Sequence, residues 1–409
     1  MTERFGYNGR LLRVDLSTRA IAFQTRDDTW WRIYAGGCLL ATEMLVRETP
    51  PGIDAFDPEN LLIVASSVVA GQPYAGLSRF TVAAKSPLTQ GIGEARSEGP
   101  FAGALKRSGA DAIVIRGRAS EPVLLVIDEG EPSIHPAGDL WGQSTGVATE
   151  RLWERYGRDA HIATIGQAGE RLVRFASIVS DRNHQAARMG MGAVAGSKQL
   201  KAIVIRGGSL PPVADRAACE ALTRSYARTM TVNDLTRWQL EPPGFAAWVH
   251  LMTGDTAICA ENYRTSRFPA ASGFDPDRFM RRYAGDAPCP GCPNNCIKRF
   301  GAGDDARFDP RSGGIHQEIT GALGPNIGLT ELDPLLGANI LCNELGMDPD
   351  SLGFTISMAM ECRDRGLLSP ELESEIPAFG DSEGVLRLIK SIGNRTAAGD
   401  LLAEGSKRA

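Results

Sequence analysis

The sequence predicts an α+β protein: a β-rich N-terminal domain over residues 1–208, then a mainly α-helical domain over residues 209–409. Three observations predict it. Short apolar runs of strand length, separated by glycine and polar turns, recur as far as residue 206. The composition then shifts at Gly207-Gly-Ser-Leu-Pro-Pro-Val, which reads as a linker. Beyond it, apolar residues return at the 3.6-residue spacing of helices.

In order along the chain, Leu11–Leu16 and Ala20–Thr25 flank Ser17-Thr-Arg and predict an N-terminal hairpin. Further strands are expected at Leu61–Ser66, Arg79–Ala84, Ala112–Arg116, Val123–Ile127, His161–Ile165, Leu172–Val179 and Ala202–Arg206. The hexapeptide Ala-Ile-Val-Ile-Arg-Gly occurs twice, at Ala112–Gly117 and Ala202–Gly207. It reads either as two equivalent strands serving two halves of a ligand or as a chance likeness of two core strands. In the second half, helices are expected over Asp215–Thr229, Glu331–Leu345, Leu352–Asp364 and Gly384–Ile392, with Asp215 and Asp333 as N-caps. Phe300–Gly314, rich in Gly and Asp, is expected to be a polar loop.

Composition narrows the function. At 409 residues the chain has room for two or three domains. A net charge of −5 with scattered Lys and Arg argues against a nucleic-acid face. The longest apolar runs, such as Leu61–Ala70, are too short for a membrane span. Met1-Thr-Glu-Arg-Phe-Gly does not resemble a leader, and eight cysteines without regular spacing outside one cluster suit a reducing compartment. The cytoplasm is the expected location.

The densest chemistry lies at Cys289-Pro-Gly-Cys292-Pro-Asn-Asn-Cys296, a C-x2-C-x3-C loop whose prolines and glycine exclude a regular helix or strand. Such thiols suit three corners of a [4Fe–4S] cluster, which takes four cysteines. A structural zinc knot or unliganded thiols are the other readings.

With these pieces placed, the chain resembles the aldehyde:ferredoxin oxidoreductase family of tungsten (occasionally molybdenum) bis-pterin enzymes. The likeness rests on the order of many short pieces from Tyr7-Asn-Gly-Arg-Leu-Leu-Arg-Val-Asp-Leu to Leu401-Leu-Ala-Glu-Gly-Ser-Lys-Arg. Among them are Ser78-Arg-Phe, Lys85-Ser-Pro-Leu-Thr, Gly166-Gln-Ala-Gly-Glu, Arg188-Met-Gly-Met-Gly-Ala-Val-Ala-Gly-Ser-Lys and Leu323-Gly-Pro-Asn-Ile-Gly. The resemblance implies a β-rich base carrying two pterins, with a [4Fe–4S] cluster on Cys289, Cys292 and Cys296. It implies Arg79, Lys85, Arg188 and Lys198 as cationic partners of the cofactor, with Gly190 beside it; Arg96 and Met189, which stand where the family has smaller residues, are cofactor-binding candidates as well. Glycines at Gly91–Gly93 and Gly190–Gly196 would let backbone N–H groups approach the phosphate. Asn343-Glu-Leu-Gly346-Met-Asp348 resembles the family's D-x-x-G-L-D pterin motif, so Asn343 and Asp348 would meet the pterin edge. Glu318 would be the general base of aldehyde oxidation, with His316 beside it.

The sequence also departs from the family pattern. It stops after Lys407-Arg-Ala, where the family continues into a third domain bearing the fourth cluster cysteine. Cys342 is the best substitute here. Glu98 is an unexpected carboxylate near a cofactor phosphate, to be neutralised by Arg96. The expected activity is oxidation of a small aldehyde to a carboxylic acid. Electrons would pass to ferredoxin or an electron-transfer subunit, with a separate chain supplying the third domain. The alternatives are a non-catalytic cofactor- or cluster-binding module and a truncated, inactive paralogue.

Overall fold

A computed structural model describes residues 4–72, 77–251 and 258–409. The first half holds two six-stranded sheets. Strands β1 (Arg10–Asp15), β2 (Ala20–Thr25), β3 (Leu62–Ser66), β4 (Arg79–Lys85), β5 (Ile92–Glu98) and β6 (Ala112–Arg116) form one, in the order β2-β1-β6-β3-β4-β5. The second contains β7 (Val123–Asp128), β8 (Glu131–Pro136), β9 (His161–Thr164), β10 (Ile178–Ser180), β11 (His184–Ala186) and β12 (Leu200–Arg206), ordered β8-β7-β12-β9-β10-β11.

These two orders are the same order displaced by six strands. Pairing sense agrees as well: β1 with β6 and β7 with β12 are parallel, and the other neighbours in both sheets are antiparallel. The twin hexapeptides are β6 and β12, each between one parallel and one antiparallel neighbour. They are equivalent strands of a repeated unit. Such strands are covered on both faces, which is why they read as unbroken apolar runs.

Alternate residues decide the layers. Leu12, Val64 and Ile113 of the first sheet share a core with Leu125, Ile203 and Ile205 of the second. Leu11, Ile63 and Val114 point the other way, onto helix Gly37–Glu48 through Leu40 and Met44. Leu124, Ile162 and Val204 likewise meet Leu152 of helix Thr145–Tyr156. The first half is therefore a helix–sheet–sheet–helix stack. Its short helices escape a reading of strand-length runs. Leu172–Val179 is only partly a strand, because Ala176 closes a turn onto Val173 and β10 starts at Ile178.

In the second half, helices Arg216–Val232, Leu332–Leu345, Pro349–Asp364 and Ser382–Asn394 stand where helical spacing predicts them. Asp215 caps its helix by accepting from Ala218 N. Asp333 does not cap; Glu331 holds that position, and Asp333 turns to Arg282 at 2.6 and 2.8 Å. The Phe300–Gly314 stretch is mostly loop. It also carries the end of β14 (Lys298–Phe300), which pairs with β13 (Tyr283–Asp286) and with β15 (Gly314–Ile315).

One turn fastens the helical part to the sheets. Gly346 ends its helix at φ +71°, a conformation costly for any residue with a Cβ. Its carbonyl accepts from Ser177 N at 2.9 Å, and Asp348 N donates to Phe175 O at 3.0 Å. Asp348 then caps helix Pro349–Asp364.

Candidate active site

Strands β4 and β5, the chain after β11, the 314–319 segment and the Asn343–Asp350 turn enclose a cavity of about 350 Å³. The two equivalent edge strands thus contribute together: Arg79, Arg96 and Glu98 come from β4 and β5, while Gln185 and Arg188 come from β11 and the turn after it. Glu98 stands opposite Arg79 in the antiparallel register, so their side chains share a face. Arg96 does not serve Glu98, as the sequence suggests; it grips Glu94, with Nε 2.6 Å from Oε1.

Arg188 is half-exposed and lies 3.2 Å from Asp348 Oδ2 and 3.1 Å from Asp350 Oδ2. Its reach follows from the next two residues, Met189 at φ +66° and Gly190 at φ +79°. Any Cβ on Gly190 would lie 2.1 Å from Arg174 O. Met189 and Gly190 therefore build the turn that aims Arg188. Burial raises the carboxyl of Asp348 above its ordinary range, Arg188 opposing it. Burial and the Asp348 charge push Asp350 up to about 6.

His316 Nδ1 lies 2.5 Å from Glu318 Oε2 at the start of helix Gln317–Leu323. Burial opposes ionisation of Glu318. The hydrogen bond and charge of His316 outweigh it and hold the carboxyl below its usual range.

Asn343 lines the cavity but spends its amide on the protein. Nδ2 donates to Ser312 O at 2.7 Å and Gly314 O at 3.2 Å, and Oδ1 accepts from Gln185 Nε2. It positions Gln185, which sequence reasoning missed.

Cys296 also lines the cavity, so the cysteine loop forms part of its wall. Left-handed Gly291 and Asn295 bend that loop, and Cys292 N closes a turn onto Cys289 O at 3.1 Å. Burial pushes the Cys289 thiol up to about 12. A backbone hydrogen bond from Gly99 opposes this, while Glu98 and the other two thiols add to it. Burial likewise raises Cys296. Among the described residues, no three His, Cys, Asp or Glu side chains gather as ligands of a single ion.

The sequence profile described as aldehyde ferredoxin oxidoreductase, N-terminal domain, matches residues 11–207; that for domains 2 and 3 matches residues 220–409. The chain belongs to the aldehyde ferredoxin oxidoreductase family. It is 34% identical over 410 residues to the tungsten-containing aldehyde ferredoxin oxidoreductase of Pyrococcus furiosus, covering 99% of this chain and 67% of that protein. A second relative from the same organism, an aliphatic sulfonate oxidoreductase, WOR-like subunit, is 28% identical over 431 residues, again covering 99% and 67%. The chain thus spans about two thirds of the length of these relatives. Among solved structures, the active site complex BamBC of benzoyl coenzyme A reductase with 1,5-dienoyl-CoA superposes with a TM-score of 0.87 at 27% identity. That match covers 99% of this chain and 63% of that one.

A family pterin asks for cations around its phosphate and acceptors at its amino edge. The cavity has three guanidinium groups, on Arg79, Arg96 and Arg188. It also has two buried acceptors, Gln185 Oε1 and Asp350 Oδ1, that no described group satisfies. The residues fit such a group.

Other residues that the family resemblance singles out stand elsewhere. Lys198 is fully buried beneath the sheets, where Nζ donates to Pro58 O at 2.9 Å and Gly117 O at 3.2 Å. Lys85 Nζ bonds Ile53 O at 2.5 Å. Neither lines the cavity, because each ammonium satisfies backbone carbonyls instead. Gly192 and Gly196 are packing glycines: a Cβ on Gly196 would lie 1.9 Å from Gly169 O. Cys342 is completely buried in the helical core, where burial raises its thiol as expected of a small core residue. Besides Gln185, the polar cavity residues missed in the sequence are Asn183 and Asp350. Asp350 carried a signal two residues after Asp348; Asn183 and Gln185 carried none.

Proposed function

We propose that this chain is an oxidoreductase that converts an aldehyde to a carboxylic acid. Its cofactor-holding domain is 1–208 and its cluster-bearing helical domain is 209–409. The observation that carries the reading is one cavity bordered by Arg79, Arg96 and Arg188, by the His316–Glu318 pair and by Cys296.

In the balanced reaction, RCHO and water give RCOOH, two protons and two electrons. A tungsten bis-pterin, when bound, supplies the two-electron acceptor, and the names of the relatives support tungsten over molybdenum. The three arginines would hold its phosphates, while Gln185, Asp348 and Asp350 would meet the pterin edge. Glu318, ionised at neutral pH, takes a proton from the attacking water, and His316 orients its carboxylate. Cys289, Cys292 and Cys296 would hold three corners of a [4Fe–4S] cluster that carries electrons outward. Burial raises the Cys289 and Cys296 thiols, so cluster assembly on them would release protons.

The onward acceptor in this reading is a ferredoxin or an electron-transfer subunit. The subunit naming of the sulfonate oxidoreductase relative and the complex named in the solved structure support a partner. No helix among the described residues is long and apolar enough to cross a membrane. In this reading the chain works in the reducing cytoplasm, which suits its irregularly spaced cysteines.

The test is the metal content and aldehyde turnover of anaerobically purified protein. About four irons with tungsten per chain, and iron–sulfur absorbance lost in Cys292→Ala but kept in Cys342→Ala and Cys362→Ala, are expected. Zinc in place of iron, or absorbance lost with Cys362, would overturn the ligand assignment.

A further inference from the structure

A second cavity, of about 300 Å³, adjoins the first at Glu318 and Asp350, which line both. Its character is different. Among the described residues, Trp248, Val249, Ile258, Ala322, Tyr263 and Phe354 give it an apolar, partly aromatic lining.

Trp248 and Phe354 are held from behind. Trp248 packs edge-on to Phe245 with centroids 5.4 Å apart and lies 5.7 Å from Trp238. Phe245 in turn meets His316 edge-on at 6.0 Å. Phe354 is stacked on Tyr263 at 5.7 Å with the planes 15° apart. Rings fixed in this way keep the cavity open rather than collapsing into it.

The placement of Tyr263 is costly. Glu261, Asn262 and Tyr263 are three successive left-handed residues, at φ 48°, 54° and 61°, and none is glycine. Such a run persists only where its surroundings fix it, and it clusters at functional sites. Here Glu261 N donates to Pro325 O at 3.0 Å and Asn262 N to Asn326 O at 3.1 Å. Ser357 Oγ donates to Asn262 Oδ1 at 3.0 Å. The result of that clamp is an exposed tyrosine ring at the cavity wall.

We infer that the second cavity receives the ring of a monocyclic aromatic aldehyde, with the carbonyl end at the Glu318 boundary and Tyr263 as a specificity-determining residue. This rests on the aldehyde-oxidising reading of the neighbouring site. The volume is about twice the ~150 Å³ that accommodates benzene in a protein interior. Aromatic walls favour a flat π-face over a flexible alkyl chain of similar size.

Benzamide and hexanamide, neutral stand-ins for the two aldehydes, separate the possibilities by calorimetric titration of the full anaerobic protein. Benzamide is expected to bind about fivefold more tightly, in line with one added ring contact. Trp248→Leu and Tyr263→Ala should each remove most of that preference; Tyr263 is 62% exposed, so its truncation leaves the core intact. Equal affinities, or a preference unchanged in both variants, would overturn the proposal. Turnover of benzaldehyde and hexanal is measured in parallel. Benzamide preference without oxidation of either aldehyde would sink the redox reading and leave the pocket. Equal kcat/KM for both aldehydes, without amide preference, would do the reverse.

Discussion

Asn343 Nδ2 donates to the carbonyl oxygen of Ser312 at 2.7 Å, and the same nitrogen reaches Gly314 O at 3.2 Å. The family motif has aspartate at this position. Here an aspartate would point a buried carboxylate oxygen at two carbonyls that then lose their donor. Asn343→Asp is therefore expected to destabilise the chain by about 2–3 kcal/mol. Urea denaturation measures it. A variant as stable as the parent would show that the amide is not the structural element drawn here.

Glu318 acts as a base only when ionised, and His316 keeps its carboxyl below the ordinary range. A lowered carboxyl loses its charge as pH falls through its own pKa. In His316→Gln the hydrogen bond and charge that lower the Glu318 carboxyl are gone, so that pKa rises. The acid limb of the kcat/KM profile for aldehyde oxidation should move to higher pH, with the alkaline side unmoved. A limb that stays in place would exclude Glu318 as the titrating base.

Asp350 behaves in the opposite sense. Burial first, then the charge of Asp348, pushes its carboxyl from 3.8 to about 6. The folded state therefore favours the neutral acid. Its contribution is intact below pH 4 and is lost as pH rises through about 6. Asp350→Asn removes the penalty and should stabilise the protein by about 3 kcal/mol at pH 8, with little change at pH 4. Thermal unfolding at the two pH values decides the point; an equal effect at both would exclude the linkage.

The repeated unit shows how far the sequence was legible. Ala112–Gly117 and Ala202–Gly207 share a hexapeptide, yet a likeness of six residues cannot separate two equivalent strands from a chance likeness. Equal strand order and pairing sense across both sheets decide it. Lysines show the other limit. Arg79, Lys85, Arg188 and Lys198 look alike as cations in motifs, but Lys85 and Lys198 are consumed by backbone carbonyls. Which partner a cation meets depends on what the folded chain carries to it.

By itself, the sequence determined the division into strand-rich and helical halves, most strand positions, the cysteine loop and the family likeness. These properties are local: side-chain period, turn residues and motif spacing act over a few residues. Only the tertiary structure decided that β5 and β11 share one cavity, that Asn343 holds Gln185, and that Glu318 and Asp350 border a second, aromatic chamber. Those relations join residues as far as 158 positions apart in sequence. They follow from packing two equivalent sheets and a helical layer around common cores, which no local spacing encodes.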